Sequence, residues 1–266
     1  MNSFHPLSNV HPDAQIGKNV IIEPFVTVEK DVIIGDNTWI GAGAVIRNGA
    51  RIGKNCKIDS CASIAGLPQD LKFKGEYTTV EIGDNTTIRE YVTINRGTAA
   101  KNKTVVGSNC LIMSYVHIAH DCKIGDNVIL AGYTGLAGEV VIDDWVITGG
   151  STVVHQFVHI GCHAFISGGS LVRKDVPPYV KAAREPLCYV GLNSLGLRRR
   201  GFSNETINII QDVYRCLYQK GMNISQAIEY IEANLPAIPE RDEIVAFVRE
   251  SKRGIMKGYD SATGEE

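Results

Sequence analysis

The chain has 266 residues and a formal net charge of −2, and 44% of its residues are hydrophobic and 21% charged. This is an ordinary soluble composition, enough for one large or two medium domains, and the charge argues against general nucleic-acid binding. Seven cysteines without a CxxC pair favour neither a disulfide framework nor a zinc ribbon, so we expect a reducing cytoplasm. The sequence has no signal-peptide pattern and no run of about 18 apolar residues, so no membrane span is predicted.

Small or β-branched residues recur every six positions, and each is followed two places later by an isoleucine or valine in nearly every repeat. The first run of these positions is Ala14, Val20, Val26, Val32, Thr38, Ala44, Ala50, Cys56 and Ala62. The frame resumes at Val80 and continues from Thr104 to Val176, with Thr148 as a lapse in the second slot. A period of six matches neither the period of about 3.6 of a helix nor the alternation of a simple strand. It predicts a parallel β-helix in which three hexads form each triangular coil.

Glycine follows the second apolar slot in many hexads, for example at Gly17, Gly35 and Gly53. We expect these glycines to make the tight corners of the coil, where the backbone needs freedom. Two segments, at about 68–79 and 98–103, lack the inward residues without shifting the phase of the repeat. They are predicted to be loops that project from the coil, and loops on a regular scaffold often carry function.

The repeat stops at Val176-Pro177-Pro178-Tyr179, because two prolines are expected to end strand pairing. The sequence therefore predicts an all-β parallel β-helix over residues 1–186 and a small α-helical domain over residues 187–266. We expect the span 187–200 to be helical as well, despite its glycines.

Three residues fall in one column when the sequence is folded into coils: His120, Gly138 and Gln156, with His155 beside the last. An imidazole, a backbone without a side chain and a polar pair along one outer face have the geometry of a cleft. Asp121 follows His120 directly and can orient its ring or support its charged form, which suits a general base. The alternative is an exposed histidine on a polar face with no chemical role.

Two clusters leave alternatives open. Five of the seven histidines raise the question of a metal site: His117, His120, His155, His159 and His163. His117 and His120 should occupy different parts of a coil, so zinc binding is disfavoured. Arg198-Arg199-Arg200 is either a solvated helix end or a site for a diphosphate, which adjacent guanidinium groups suit.

Several motifs together resemble the UDP-N-acetylglucosamine O-acyltransferase family, which acts in the first step of lipid A synthesis. They are Gln69-Asp70-Leu71-Lys72, Thr93-Ile94-Asn95-Arg96-Gly97-Thr98, His117-Ile118-Ala119-His120-Asp121-Cys122, Val154-His155-Gln156-Phe157, Asp175-Val176-Pro177-Pro178-Tyr179 and Arg199-Arg200-Gly201-Phe202. The match covers nearly the whole chain in order. The resemblance implies a left-handed β-helix, an exception to the right-handed crossover preference. It also implies a cytoplasmic homotrimer with sites between subunits, and neither a cofactor nor a metal.

The resemblance implies a role for each candidate residue. His120 is expected to be the general base that removes the proton from the glucosamine 3-hydroxyl as it attacks an acyl carrier protein thioester. Asp121 is expected to hold the imidazole, and the Gly138 N–H to stabilise the developing oxyanion. The residues implied to bind the sugar nucleotide are Asp70, Lys72, His117, His155, Gln156, Asn193, Arg199 and Arg200.

The resemblance also implies which residues select the acyl chain. Gly168 is expected beside the end of the acyl groove, where a glycine leaves room for a hydroxyacyl chain of myristoyl length or above. The alternative for Gly168 is a simple corner glycine. The acidic acyl carrier protein is expected to contact the local basic residues Arg173, Lys174, Lys181 and Arg184.

Three residues depart from the family's pattern. Asn95 and Glu139 stand where histidines are usual, and Leu195 replaces a glutamate. These departures leave open the reaction of relatives that acylate a 3-amino sugar nucleotide. Two other classes remain as alternatives: a hexapeptide metalloenzyme such as a γ-type carbonic anhydrase, which metal content would reveal, and a catalytically silent scaffold, which would bind no uridine nucleotide.

Overall fold

Short strands build three sheets, and successive strands of the chain enter successive sheets in the computed structural model, which describes residues 1–259. The first sheet contains β1 (Ser3–Phe4), β4 (Ile21–Ile22), β7 (Trp39–Ile40), β10 (Lys57–Ile58), β13 (Thr87–Ile88), β16 (Leu111–Ile112), β19 (Ile129–Leu130), β22 (Ile147–Thr148), β25 (Phe165–Ile166), β27 (Val180–Ala183), β28 (Cys188–Leu192) and β29 (Lys257–Gly258). The second sheet contains β2 (Asn9–Val10), β5 (Thr27–Val28), β8 (Val45–Ile46), β11 (Ser63–Gly66), β14 (Thr93–Asn95), β17 (His117–Ile118), β20 (Gly135–Leu136), β23 (Val153–Val154) and β26 (Leu171–Val172). The third sheet contains β3 (Gln15–Ile16), β6 (Val32–Ile34), β9 (Ala50–Ile52), β12 (Thr79–Ile82), β15 (Lys103–Val106), β18 (Lys123–Ile124), β21 (Val141–Ile142) and β24 (His159–Ile160).

Each coil pairs in parallel with the next, so equivalent hexad positions stack along the molecule. His117 on β17 pairs with Gly135 on β20, one coil further on. The two inward residues of this hexad, Val116 and Ile118, are fully buried. Thr148, the lapse in the second slot, is also buried, and its hydroxyl is satisfied there by the hydroxyl of Thr134 at 3.0 Å. The parallel β-helix predicted from the repeat is confirmed, and so is the left hand implied by the family resemblance.

The coil turns at three corners. Corner 1 follows a strand of the first sheet, corner 2 a strand of the second sheet, and corner 3 a strand of the third sheet. The prediction that glycines after the second slot supply the backbone freedom is wrong: a positive φ occurs two residues later, as at Asn19 (56°) and Asn37 (59°). Gly17 is needed for a different reason, since a Cβ there would lie 2.7 Å from the backbone N of Asp36 in the next coil. Asparagine tolerates the left-handed conformation, whereas the crowded position two residues earlier does not tolerate a side chain.

Corner 2, between the second and third sheets, is where the chain leaves the coil twice. Residues 67–78 connect β11 to β12, and residues 96–102 connect β14 to β15. The next turn at the same corner, between β17 and β18, contains His120. Both loops therefore emerge on the edge of the prism that bears this histidine.

The two prolines do not end the first sheet, contrary to expectation. β27 pairs in parallel with β25, β28 returns antiparallel to β27, and β29 joins β28. Pro177 and Pro178 precede β27 rather than lying in it, so no ladder N–H is lost there. The prediction of helix over 187–200 is wrong for its first half, because Cys188–Leu192 forms β28.

Four helices complete the described chain: α1 (Ser194–Arg199), α2 (Asn204–Tyr218), α3 (Ile224–Asn234) and α4 (Pro239–Glu250). They dock on the last coil through specific polar contacts. The hydroxyl of Tyr214 in α2 donates to the carbonyl of Pro178 at 2.6 Å, and the hydroxyl of Tyr179 donates to Glu243 of α4. Of the predicted domain 187–266, residues 260–266 lie outside the described residues.

Candidate active site

His120 and Asp121 form a hydrogen-bonded pair in the turn after β17. His120 Nδ1 lies 2.8 Å from Asp121 Oδ2. The carboxylate carries no proton to give, so Nδ1 donates and Nε2 is left with a free lone pair. Only 8% of His120 is exposed. The turn thus presents an imidazole whose Nε2 points away from Asp121, and in the neutral ring this nitrogen is available as a base.

The Asp121 carboxylate is completely buried, yet each of its oxygens is satisfied. Oδ1 accepts from the backbone N–H of Thr98 at 2.9 Å and of Lys101 at 3.1 Å. Oδ2 accepts from the Thr98 hydroxyl at 2.7 Å in addition to His120. All three of these donors lie in the 96–102 loop, so this loop holds the carboxylate that orients the imidazole.

Asp70 brings a second carboxylate to the histidine from the 67–78 loop. Its Oδ2 lies 4.0 Å from His120 Nε2, and its Oδ1 accepts from the backbone N–H of Lys72 at 2.9 Å. Two carboxylates therefore flank the ring, one on each nitrogen side. This arrangement favours a positive charge that develops on the imidazole during a reaction.

Gly138 lies one coil beyond His120, and its backbone approaches the ring. A Cβ at this position would lie 2.5 Å from His120 Cε1 and 2.6 Å from Nε2. Within residues 1–259, no acceptor is hydrogen-bonded to the Gly138 N–H. A free backbone donor therefore lies beside the nitrogen that can act as a base.

Three other predicted residues lie on the same side of the molecule. His117, on the outer surface of β17, has its Nδ1 2.7 Å from the hydroxyl of Thr93, and burial lowers the pKa of His117. His155 and Gln156 follow β23 at corner 2, two coils beyond His120. His155 Nδ1 donates to the Gln156 carbonyl at 3.0 Å, which leaves its Nε2 free to accept.

The predicted residues of the tail do not join this group within one chain. Asn193 caps α1 and donates to the carbonyl of His163 at 2.9 Å, at corner 3. Arg200 donates to the carbonyl of Trp145 at 3.1 Å and lies 3.3 Å from His163 Nδ1. Arg199 is exposed in the last turn of α1. These residues lie at a different corner from His120.

Gly168 lies at a third place, in the turn after β25 at corner 1. It is exposed, and a Cβ there would approach the carbonyl of Gly150 at 3.1 Å. The basic residues expected to meet a carrier protein are all exposed at the helical end of the coil. Arg173 pairs with Glu185 at 2.9 Å, and Lys174 donates to the Arg253 carbonyl at 2.6 Å.

Sequence reasoning missed the donors to Asp121. The signal that could have found Thr98 is the register of the repeat, because Thr93 pairs with His117, 24 positions later. The same offset places Gly97 beside Asp121 and Thr98 next to it. No group of three His, Cys, Asp or Glu side chains within residues 1–259 is placed to hold a metal ion. None of the helices up to residue 259 is long and apolar enough to cross a membrane.

Comparison with known proteins first gives the class. A model described as bacterial transferase hexapeptide, with six repeats, matches residues 31–66 and 103–138. A model described as domain 2 of UDP-N-acetylglucosamine O-acyltransferase matches residues 175–256. The fold and these matches make the chain a hexapeptide-repeat transferase.

Full-length relatives then give the family. Acyl-[acyl-carrier-protein]–UDP-N-acetylglucosamine O-acyltransferases of Thermodesulfovibrio yellowstonii and Chlorobaculum parvum are 45% and 48% identical, over 97% and 98% of this chain and 100% of each relative. The crystal structure of a UDP-N-acetylglucosamine acyltransferase from Bacteroides fragilis superposes with a TM-score of 0.94 at 51% identity, over 96% of this chain and 100% of that one. The enzyme of that name from Francisella novicida also gives 0.94, at 41% identity over 100% and 97%. The chain belongs to the acyl-[acyl-carrier-protein]–UDP-N-acetylglucosamine O-acyltransferase family, which confirms the resemblance seen in its motifs.

Proposed function

We propose that this chain transfers a (3R)-3-hydroxyacyl group from acyl carrier protein to the glucosamine 3-hydroxyl of UDP-N-acetylglucosamine, the first step of lipid A biosynthesis, in the cytoplasm. The observation that carries the proposal is the corner 2 site of a family member, where a buried His120–Asp121 pair lies beside a free backbone N–H at Gly138.

His120 acts as the general base. Nε2 takes the proton of the 3-hydroxyl while the hydroxyl oxygen bonds to the thioester carbonyl carbon. The carbonyl becomes an oxyanion, which the Gly138 N–H stabilises by about 2.7–4 kcal/mol if it resembles measured oxyanion donors. The C–S bond then breaks, and the imidazolium returns its proton to the departing thiolate. The ester and the free carrier thiol are released, and His120 is again unprotonated at Nε2.

Asp121 and Asp70 make this proton transfer favourable. Asp121 fixes the tautomer of His120 with Nδ1 protonated, so the base is always the nitrogen that faces the substrate. Asp70, 4.0 Å from Nε2, stabilises the imidazolium formed in the transition state and binds the sugar together with Lys72. His117, His155 and Gln156 contact the same substrate from the second sheet and corner 2.

The active unit is a homotrimer with sites between subunits. Asn193, Arg199 and Arg200 lie at or near corner 3, whereas His120 lies at corner 2 of the same chain. One substrate contacts both groups when the corner 3 of one chain approaches the corner 2 of its neighbour. Closed threefold symmetry makes three equivalent sites of this kind. The guanidinium groups then bind the diphosphate of the nucleotide.

The acyl carrier protein approaches at the helical end of the coil. Arg173, Lys174, Lys181 and Arg184 are exposed there, and their positive charge complements an acidic carrier. The acyl chain runs toward corner 1, where Gly168 leaves room for a chain of myristoyl length or above.

The reaction itself tests the proposal. The purified protein is incubated with UDP-N-acetylglucosamine and a long-chain 3-hydroxyacyl carrier protein, and the acylated nucleotide is identified by mass spectrometry. We expect a product whose acyl group is released by mild alkali, as an ester is. A parallel reaction uses the 3-amino analogue of the nucleotide, which gives an alkali-stable amide. Absence of transfer to the hydroxyl acceptor, or a higher kcat/KM for the amino acceptor, would contradict the proposal.

A further inference from the structure

Thr98 makes two of the four hydrogen bonds that the Asp121 carboxylate receives. Its backbone N–H donates to Oδ1 at 2.9 Å and its hydroxyl donates to Oδ2 at 2.7 Å. Oδ2 is the oxygen that also binds His120 Nδ1 at 2.8 Å. Thr98 is itself buried, with 7% of its surface exposed. Water is therefore excluded from the contact between the two side chains.

We propose that the Thr98 hydroxyl is a positioning residue for catalysis, which fixes the orientation of the Asp121 carboxylate and through it the His120 ring. The proposal rests on the proposed function. Thr98 touches neither the imidazole nor the reacting atoms, so it acts through Asp121.

The geometry makes the hydroxyl and not the loop as a whole responsible for this orientation. The backbone donors from Thr98 and Lys101 both contact Oδ1, so they hold one oxygen and leave the other free to move about it. The hydroxyl is the additional donor on Oδ2. Without it, the oxygen that orients the imidazole has His120 as its one remaining partner among residues 1–259. The ring and the carboxylate can then rotate together away from the productive alignment.

Thr104 provides a matched control, because it is a second buried threonine bonded to the same aspartate. Its hydroxyl accepts from the backbone N–H of Asp121 at 2.8 Å and does not contact the carboxylate. Replacement of either threonine by valine removes one hydroxyl at nearly constant volume. Thr98→Val removes a donor to the carboxylate, whereas Thr104→Val removes an acceptor for the backbone.

The test measures kcat, KM for UDP-N-acetylglucosamine and the melting temperature for Thr98→Val, Thr98→Ser and Thr104→Val. We expect Thr98→Val to lower kcat about 10-fold to 100-fold with little change in KM, as the loss of a hydrogen bond to a charged group implies. Thr98→Ser keeps the hydroxyl and is expected to restore most of kcat. Thr104→Val is expected to lower the melting temperature while kcat stays close to the wild-type value.

The pH profile of kcat separates positioning from a general loss of folded protein. With one donor removed, more negative charge of Asp121 faces the imidazolium, so the acidic limb in Thr98→Val is expected to move to higher pH. Among residues 1–259, Asp70 is the second carboxylate within 4.0 Å of a ring nitrogen of His120, and it is unchanged. An unaltered kcat in Thr98→Val, or a serine variant as impaired as the valine variant, would overturn the role of the hydroxyl. Absence of acyl transfer by the wild-type enzyme would instead contradict the proposed function.

Discussion

The His120 ring is confined from three directions by groups that come from three different parts of the chain. Asp121 holds Nδ1, Asp70 approaches Nε2, and the Gly138 backbone lies against the ring edge. General-base catalysis depends on the distance and direction of the proton transfer. A change of a single side chain at any of these positions therefore alters the rate more than the fold.

Gly138→Ala is expected to lower kcat about 100-fold while the β-helix remains folded. A Cβ would lie 2.5 Å from His120 Cε1, so the ring must move, and a displacement of about 1 Å costs on that order in rate. Gly135→Ala is the matched control, since no atom lies within 4 Å of a Cβ there in the same coil. The measurement is the steady-state kcat of both variants. Equal values would contradict the prediction, because they would show that the ring accommodates the added Cβ without a change in catalysis.

Gly168→Met is expected to shift the preferred acyl chain toward a shorter length. Gly168 is exposed and does not have a left-handed φ, so a side chain there needs no unusual backbone conformation. Its Cβ would lie 3.1 Å from the Gly150 carbonyl, so this contact must lengthen slightly. A long chain must displace that side chain, at a cost of about 1–3 kcal/mol. The comparison is kcat/KM for long and short 3-hydroxyacyl carrier proteins. An unchanged ratio would place the limit of chain length elsewhere.

At the level of elements, the repeat predicts the coil well and its ends poorly. Every coil depends on contacts between residues about one turn apart, which a period reveals directly. β28 depends instead on pairing with β27 and with β29, which comes from the end of the described chain. The 187–192 span carries no periodic signal of that pairing. The donors to Asp121 from Thr98 and Lys101 were missed for a related reason, because they lie in the loop 96–102, where the repeat is interrupted.

The docking of α1 on corner 3 is expected to weaken as the pH falls below about 6.5. Burial and then the nearby Arg200 guanidinium lower the pKa of His163 to about 4 from its usual 6.5. His163 Nδ1 accepts a hydrogen bond from Arg200 at 3.3 Å, which requires the neutral ring. Between these two pH values the unfolded chain binds a proton that the folded chain excludes, so stability present above pH 6.5 is lost as the pH falls toward 4.

The protonation of His163 is expected to lower the free energy of unfolding by about 1–2 kcal/mol between pH 7.5 and pH 5, after allowance for the partial exposure of the ring. It is measured as the free energy of unfolding in urea at both pH values and one protein concentration. His163→Gln keeps an acceptor for Arg200 but cannot titrate. Between pH 7.5 and pH 5, the free energy of unfolding of this variant is expected to fall by about 1–2 kcal/mol less than that of the wild type. An identical pH dependence in the two proteins would rule out His163 as the cause.

At the scale of the whole molecule, the predicted site residues lie at three different corners of the prism. The sequence placed His120, Gly138 and Gln156 in one column, and the structure has them in successive turns of corner 2. It could not place Arg200, because the turn of the chain after β28 is not periodic. Assembly of three chains is the proposed solution, and it predicts that each site uses residues from two of them.

Mixed trimers of His120→Ala and Arg200→Ala are expected to regain activity that neither variant has alone at limiting nucleotide. A site that combines His120 of one chain with Arg200 of its neighbour is intact in about one quarter of the sites of a random mixture. The mixture is prepared by joint refolding and compared with each variant treated alone. No recovery after exchange would mean that His120 and Arg200 of the same chain serve one substrate.

The most direct test of the account is His120→Ala, measured for turnover and nucleotide binding in the same preparation. His120 lies at a corner of the coil and contributes little to the apolar core, so the variant is expected to keep the oligomeric state of the wild type. Its Kd for UDP-N-acetylglucosamine is expected to stay close to that of the wild type. Loss of the general base is expected to lower kcat by about 10²–10⁴-fold or more. Near-normal turnover of 3-hydroxyacyl carrier protein by this variant would contradict the central claim.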